Sequence, residues 1–148
     1  MSRILVLLFS FAVVGCEPPS EPIPYKSIAD TKQMMDWILD PHADVIWASA
    51  GSVVTAEGTQ DLAPTTEEGW VTVRNAAATI AEFSNLLMMP EHARERAGWV
   101  EIAQGLQATA VQLINAADHH DADAVFNYGG QLYDVCVSCH QIYLETDS

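Results

Sequence analysis

Two cysteines and a histidine, in Cys136-Val137-Ser138-Cys139-His140, constrain this chain more than any other stretch of it. Three chemistries use a C-x-x-C spacing of this kind: covalent attachment of a c-type haem, a dithiol redox pair, or half of a zinc site. Which of them applies depends on the redox compartment in which the chain folds.

The compartment is legible at the amino end. Arg3 is followed by an apolar run from Ile4 to Val14, too short to span a hydrocarbon core of about 30 Å, so residues 1–15 read as an export signal and not as a membrane helix. The run closes on Val13-Val14-Gly15-Cys16, which resembles the bacterial lipobox, where the cysteine is lipidated and becomes the first mature residue. The plain alternative is a signal cleaved elsewhere, with Cys16 incidental. Both export the chain; the first implies a periplasmic protein held to a bacterial membrane through Cys16. Residues 16–25 hold four prolines, Pro18, Pro19, Pro22 and Pro24, and polyproline II at about 3.1 Å per residue makes that stretch a stiff tether. Residues 26–148 are left for one domain.

Export narrows the chemistry. A structural zinc site needs four ligands, and with Cys16 assigned no thiol remains beyond the pair. A thioredoxin-like dithiol opens a helix after a strand, whereas the residues before Cys136 read as helix and no alternating β pattern is present. Haem attachment uses all three residues: each vinyl group takes one thiol, His140 becomes the axial ligand of iron, and no free thiol faces an oxidising compartment.

The periodicity from Lys26 onward is helical. A first helix is expected with Ser27 as N-cap, Asp30 three residues on, and an apolar stripe through Ile28, Met35, Ile38, Leu39 and Ile46, kinked at Pro41. Gly51 to Ala63 reads as a loop. A second helix opens at Thr65-Thr66-Glu67-Glu68 and runs to about Met89, where Pro90 stops it. A third spans roughly Ala93 to Ala117, with Trp99, Ile102, Leu106, Ala110 and Leu113 on one side. The fourth starts near Asp121 and sets Val125, Leu132, Val135, Cys136 and Cys139 on one face, so both thiols point toward the core. The fold class is therefore all-α, an antiparallel four-helix bundle with covalently attached haem on the last helix. Ala76-Ala77-Ala78 and Gly129-Gly130 allow close approach, whether of a flat cofactor or of another helix. Trp37, Trp47, Trp70 and Trp99 read as core aromatics.

A four-helix chain carrying C-x-x-C-H on its last helix resembles the class II c-type cytochromes, the cytochrome c-prime family and its low-spin relatives. The likeness covers about Lys26 to Tyr143. It implies that His140 is the proximal ligand and that a residue of the first helix faces the other side of the haem. Low-spin members place a methionine there and shuttle electrons; high-spin members place an apolar residue and leave iron open to small gases. Met34 and Met35 both stand in the first helix. Met35 shares the stripe of Leu39 and Ile46, while Met34 is turned about 100° away, so Met35 is the expected sixth ligand; core packing is its plain alternative, and His42 is a further candidate. The family often carries an Arg one turn before that ligand. Here Lys32 stands three residues before Met35, and Lys32 and Arg74 are the candidate propionate contacts. Met88 and Met89 read as core filler, and His92, His119 and His120 are given no ligand role. The family also forms homodimers.

Charge bears on partners. The formal net charge is −14, which repels nucleic acid and anionic lipid and would steer in a basic redox protein, although acidity also serves solubility alone. No hydrolytic nucleophile motif, phosphate loop or metal pair is visible, so no enzyme is expected. Three functions remain: a membrane-tethered electron carrier, a gas-binding haem protein, and a haem-free thiol or structural module.

Overall fold

The structure, a computed structural model, describes residues 26–94 and 98–144. The export signal over residues 1–15, Cys16 and the tether to residue 25 lie outside these residues.

The described chain is mostly helical. Its first helix is continuous but built of three pieces: α1 (Thr31–Met34), a π-helical turn (Met35–Leu39) and α2 (Asp40–Trp47). The cap is Asp30 and not the expected Ser27. Asp30 accepts from the Gln33 N–H at 2.8 Å while the Gln33 side chain accepts from the Asp30 N–H at 3.0 Å, a reciprocal pair that fixes the first turn. Ile28 therefore precedes the helix and is 87% exposed, off the stripe that its spacing suggested. The expected kink at Pro41 takes the form of the π turn. Proline has no N–H for the Trp37 carbonyl and crowds it; widening the turn, so that the Asp40 N–H reaches Met35 O, absorbs the misfit without ending the helix.

Residues 51–63, expected to be a loop, contain an antiparallel hairpin of β1 (Ser52–Thr55) and β2 (Gly58–Asp61). All eight strand residues are exposed, so no buried face imposed the alternation by which strands are recognised. α3 (Glu67–Leu87) starts on the Thr66 hydroxyl, which accepts from the Gly69 N–H at 3.2 Å. It ends just before Pro90, as its sequence predicts. α4 (Trp99–Asp118) begins six residues after the expected Ala93, because the His92 and Ala93 N–H groups close a turn onto Met89 O and Gly98 enters the helix at φ +99°. α5 (Ala122–Tyr143) starts on Asp121, whose carboxylate accepts from the Ala124 N–H at 2.9 Å.

α3 packs on α4, α4 on α5, and α2 on both α3 and α5, closing a ring of contacts. Inside it Ile46, Val73, Ile80, Leu113, Val125 and Leu132 are essentially without exposure. Alanines at 76, 77, 110 and 117 keep the axes close. Trp70 and Trp99 belong to this core, but Trp37 and Trp47 are exposed, contrary to the expectation for all four. Among the described residues no helix is long and apolar enough to cross a membrane.

Candidate functional site

Positions separated by three and four residues on a helix share a face, so α5 presents Cys136, Cys139 and His140 together in its final turns. The core facing them is incomplete: Val135, Cys136 and Cys139 are only half-buried, whereas Leu132 one turn earlier is sealed. The uncovered space is a cleft of about 580 Å³, open mouth included. Cys136, Cys139 and His140 line it from α5, Met35, Leu39, Asp40 and Ala43 from the first helix. Ile80 and Leu87 of α3 and Trp99, Ile102 and Leu106 of α4 complete the lining.

The end of the cleft is pinned by Trp99. Its Nε1–H donates to Leu87 O at 2.6 Å, and its ring meets Tyr143 edge-on at 4.9 Å between centroids. The Arg94 guanidinium stands 6.0 Å from the same ring. Burial, and after it the Asp40 carboxylate, push the Cys136 thiol up to about 11; burial pushes Cys139 up as well. Both are free thiols. They stand near the carboxyl end of a helix, where the backbone dipole opposes the thiolate that a dithiol exchanger needs.

Met35 thus shares a cavity with the C-x-x-C-H residues, and Met34 does not. Met34 is buried in a second cavity with Ile38, Phe83, Met89 and His92. His42 turns its Nδ1 to Ile38 O at 2.6 Å and is absent from the cleft lining. Neither candidate propionate contact lines the cleft. Lys32 is exposed on Asp36, with Nζ to Oδ2 at 2.6 Å, and that carboxylate holds the ammonium above its ordinary pKa. Arg74 faces Asp118 at 3.6 Å. On α4, Asp118 lies sixteen residues after Ile102, roughly 24 Å along the axis at about 1.5 Å per residue.

No family model, curated protein or solved structure matches this chain. The remaining histidines have local partners: His92 Nε2 meets Ser27 Oγ at 2.7 Å, His119 Nδ1 meets Asn115 O at 2.7 Å, and His120 stacks on Trp70 while facing Glu67 at 3.3 Å. Among the described residues no three His, Cys, Asp or Glu side chains converge as a metal-ion site. Sequence reasoning missed Asp40, which lines the cleft beside Met35 and Leu39. Asp40 follows Met35 at the five-residue period of the π turn, which the 3.6-residue periodicity of the sequence does not show.

The donor set around the cleft is of the kind that holds a haem. Two thiols three residues apart match two vinyl groups, an imidazole and a thioether approach from different helices, and the wall between them is hydrocarbon except for Asp40.

Proposed function

We propose that this chain is an exported c-type haem protein that carries single electrons, with residues 26–148 forming an antiparallel four-helix bundle tethered to a bacterial membrane through Cys16. One observation supports the reading above all others: Met35 of the first helix lines the same cleft as Cys136, Cys139 and His140 of the last. Cys136 and Cys139 would each add S–H across a vinyl C=C, sulfur to one carbon and hydrogen to the other, forming two thioethers without change of electron count. His140 would offer an imidazole nitrogen and Met35 a thioether sulfur to hold the iron. When bound, the haem supplies reversible one-electron chemistry at iron.

The chain's own residues do the rest. Leu39, Ile80, Leu87, Ile102 and Leu106 exclude water, so little reorganises when the charge of the site changes by one. Trp99 and Tyr143 brace the end of α5 that carries His140.

One observation favours a second reading. Leu39 is buried in the same lining one turn beyond Met35; were it and not Met35 to face the iron, the sixth position would be apolar and the protein would bind small gases. Absorption spectra of the purified protein separate the two. Low-spin spectra in both redox states, with no rapid carbon monoxide binding, are expected for the carrier. After denaturation in acid acetone the chromophore should stay on the polypeptide, and Cys136→Ala with Cys139→Ala should remove it. Free extraction of the haem would overturn the proposal.

A further inference from the structure

Outside the cleft, the faces that α2 and α5 turn to solvent combine two features. The first is aromatic. On α5, Phe126 and Tyr133, seven residues apart, are 60% and 57% exposed, and Trp47 of α2 stands across from them. Between the three lies a groove of about 840 Å³ with Ile46, Val125 and Gly129 among its lining. Its walls are fixed in advance of any partner. The Trp47 Nε1–H donates to Gly129 O at 2.9 Å, and its ring meets Tyr133 edge-on at 6.1 Å. Gly51, at φ +83°, lets the base of the hairpin lie against Phe126; a Cβ there would come within 3.1 Å of the ring.

The second feature is charge. No Lys or Arg occurs between Lys32 and Arg74 or after Arg96, so α2, the hairpin, α4 and α5 contain none, and of these only α2 and α5 line the aromatic groove. Asp40 and Asp44 of α2 and Asp123 and Asp134 of α5 are all exposed. On α5, Asp123, Phe126, Gly130, Tyr133 and Asp134 follow the three- and four-residue spacing of one face.

We infer that the α2/α5 face docks a basic electron-transfer protein, whose Lys or Arg side chains meet these aspartates while an apolar side chain enters the aromatic groove. This rests on the haem reading for its purpose: Tyr133 is one helical turn before Cys136, so a partner seated there lies beside the cleft. Exposed aromatic faces attract cations as well as apolar groups, and rigid aromatics at the centre of a charged rim are where binding energy concentrates. The charge selects the class of partner. A second copy would bring aspartates against aspartates, and anionic lipid is repelled equally.

The test uses the purified holoprotein and, as probe, a basic cytochrome c that is cationic at neutral pH, with binding measured by titration calorimetry at low and physiological salt. Wild type should bind and weaken as salt rises. Phe126→Ser with Tyr133→Ser should weaken binding by about tenfold or more while keeping the salt dependence. Asp44→Asn, Asp123→Asn and Asp134→Asn together should weaken it and flatten the salt dependence. Glu68→Gln, Glu82→Gln and Glu101→Gln, the same change of charge at exposed positions on α3 and α4, should have little effect. If this second set weakens binding as much as the first, net charge alone attracts the probe and the docking face is refuted. If the serine pair leaves probe binding intact and instead turns a dimer into a monomer, the groove is an interface between copies, and the inference also fails. Binding is read without electron transfer, so a protein lacking haem would sink the functional reading while leaving this measurement interpretable.

Discussion

Met34 and Met35 are neighbours in sequence and face different cavities, which makes them a matched pair for experiment. Met35→Ala should abolish the weak near-infrared band of thioether-ligated ferric haem, shift iron to high spin and admit carbon monoxide. Met34→Ala should keep the band and instead lower stability by about 2–5 kcal/mol, the usual cost of truncating a buried methionine, read as a drop in Tm. Loss of the band in Met34→Ala alone would reverse the ligand assignment. Asp40 makes a different prediction, for the haem-free protein. There the Cys136 thiol, ordinarily near 9.0, is raised to about 11 by burial first and Asp40 next, so the folded state holds this proton more tightly than the unfolded chain does. The resulting stability is complete below about pH 9 and is lost as pH rises through about 11. In a Cys139→Ser background, Asp40→Asn should lower the pH midpoint for alkylation of Cys136 by iodoacetamide while leaving it above 9.0, because burial remains. An unmoved midpoint would show that the Asp40 charge does not reach the thiol. At this scale the sequence was readable where one helical phase sufficed, as for Met35. It was not readable for Asp40, whose position depends on the wider turn before it.

Helix ends were legible wherever a single side chain or proline dictates them. Asp121 and Pro90 mark ends in the structure as they do in the sequence, because each satisfies or removes a backbone group that the helix cannot serve itself; α3 opens within the expected Thr65–Glu68 stretch, but on Thr66 bonded to the Gly69 N–H and not on the capping box that Thr65 and Glu68 suggested. The start of the first helix was misread because Ser27 and Asp30 are both good caps, and only the reciprocal bond with Gln33 chooses between them. The hairpin was missed because it is held by backbone pairing with no apolar side to betray it. The contact of α2 with α5 yields a test of how closely the two helices pack. A Cβ at Gly129 would lie 3.6 Å from both Ile46 Cγ2 and Trp47 Cδ1, an ordinary contact distance. Gly129→Ala should thus fit and raise stability by about 0.5–1 kcal/mol through helix propensity. Gly129→Leu should push the helices apart, lower Tm and free the Trp47 indole from Gly129 O, visible as a change in tryptophan emission.

For the whole molecule, the ring of helix contacts followed from alternating apolar stripes and caps, but the cleft did not. A gap in a core is the absence of a side chain, and composition and periodicity record only those present; that residues 35, 136, 139 and 140 line one cleft is seen in the structure alone. Charge was readable as a total and not as a distribution, since only the contact of α2 with α5 brings their aspartates onto neighbouring helices. Among the described residues no helix can span a membrane, so the proposed attachment rests on Cys16. Cys16→Ser should therefore move the protein from the membrane to the soluble fraction without altering its absorption spectrum. Retention on the membrane would refute the anchor.

The π turn at Met35–Leu39 carries a consequence for lineage. A π turn holds one residue more than the α turn it stands in for, so a helix running straight through this region would have one residue fewer. Aligning the two without a gap inside 35–39 would shift everything on one side of the turn by a residue, and an equivalent of Met35 transferred across an alignment anchored beyond the turn would fall on Asp36, a carboxylate paired with Lys32.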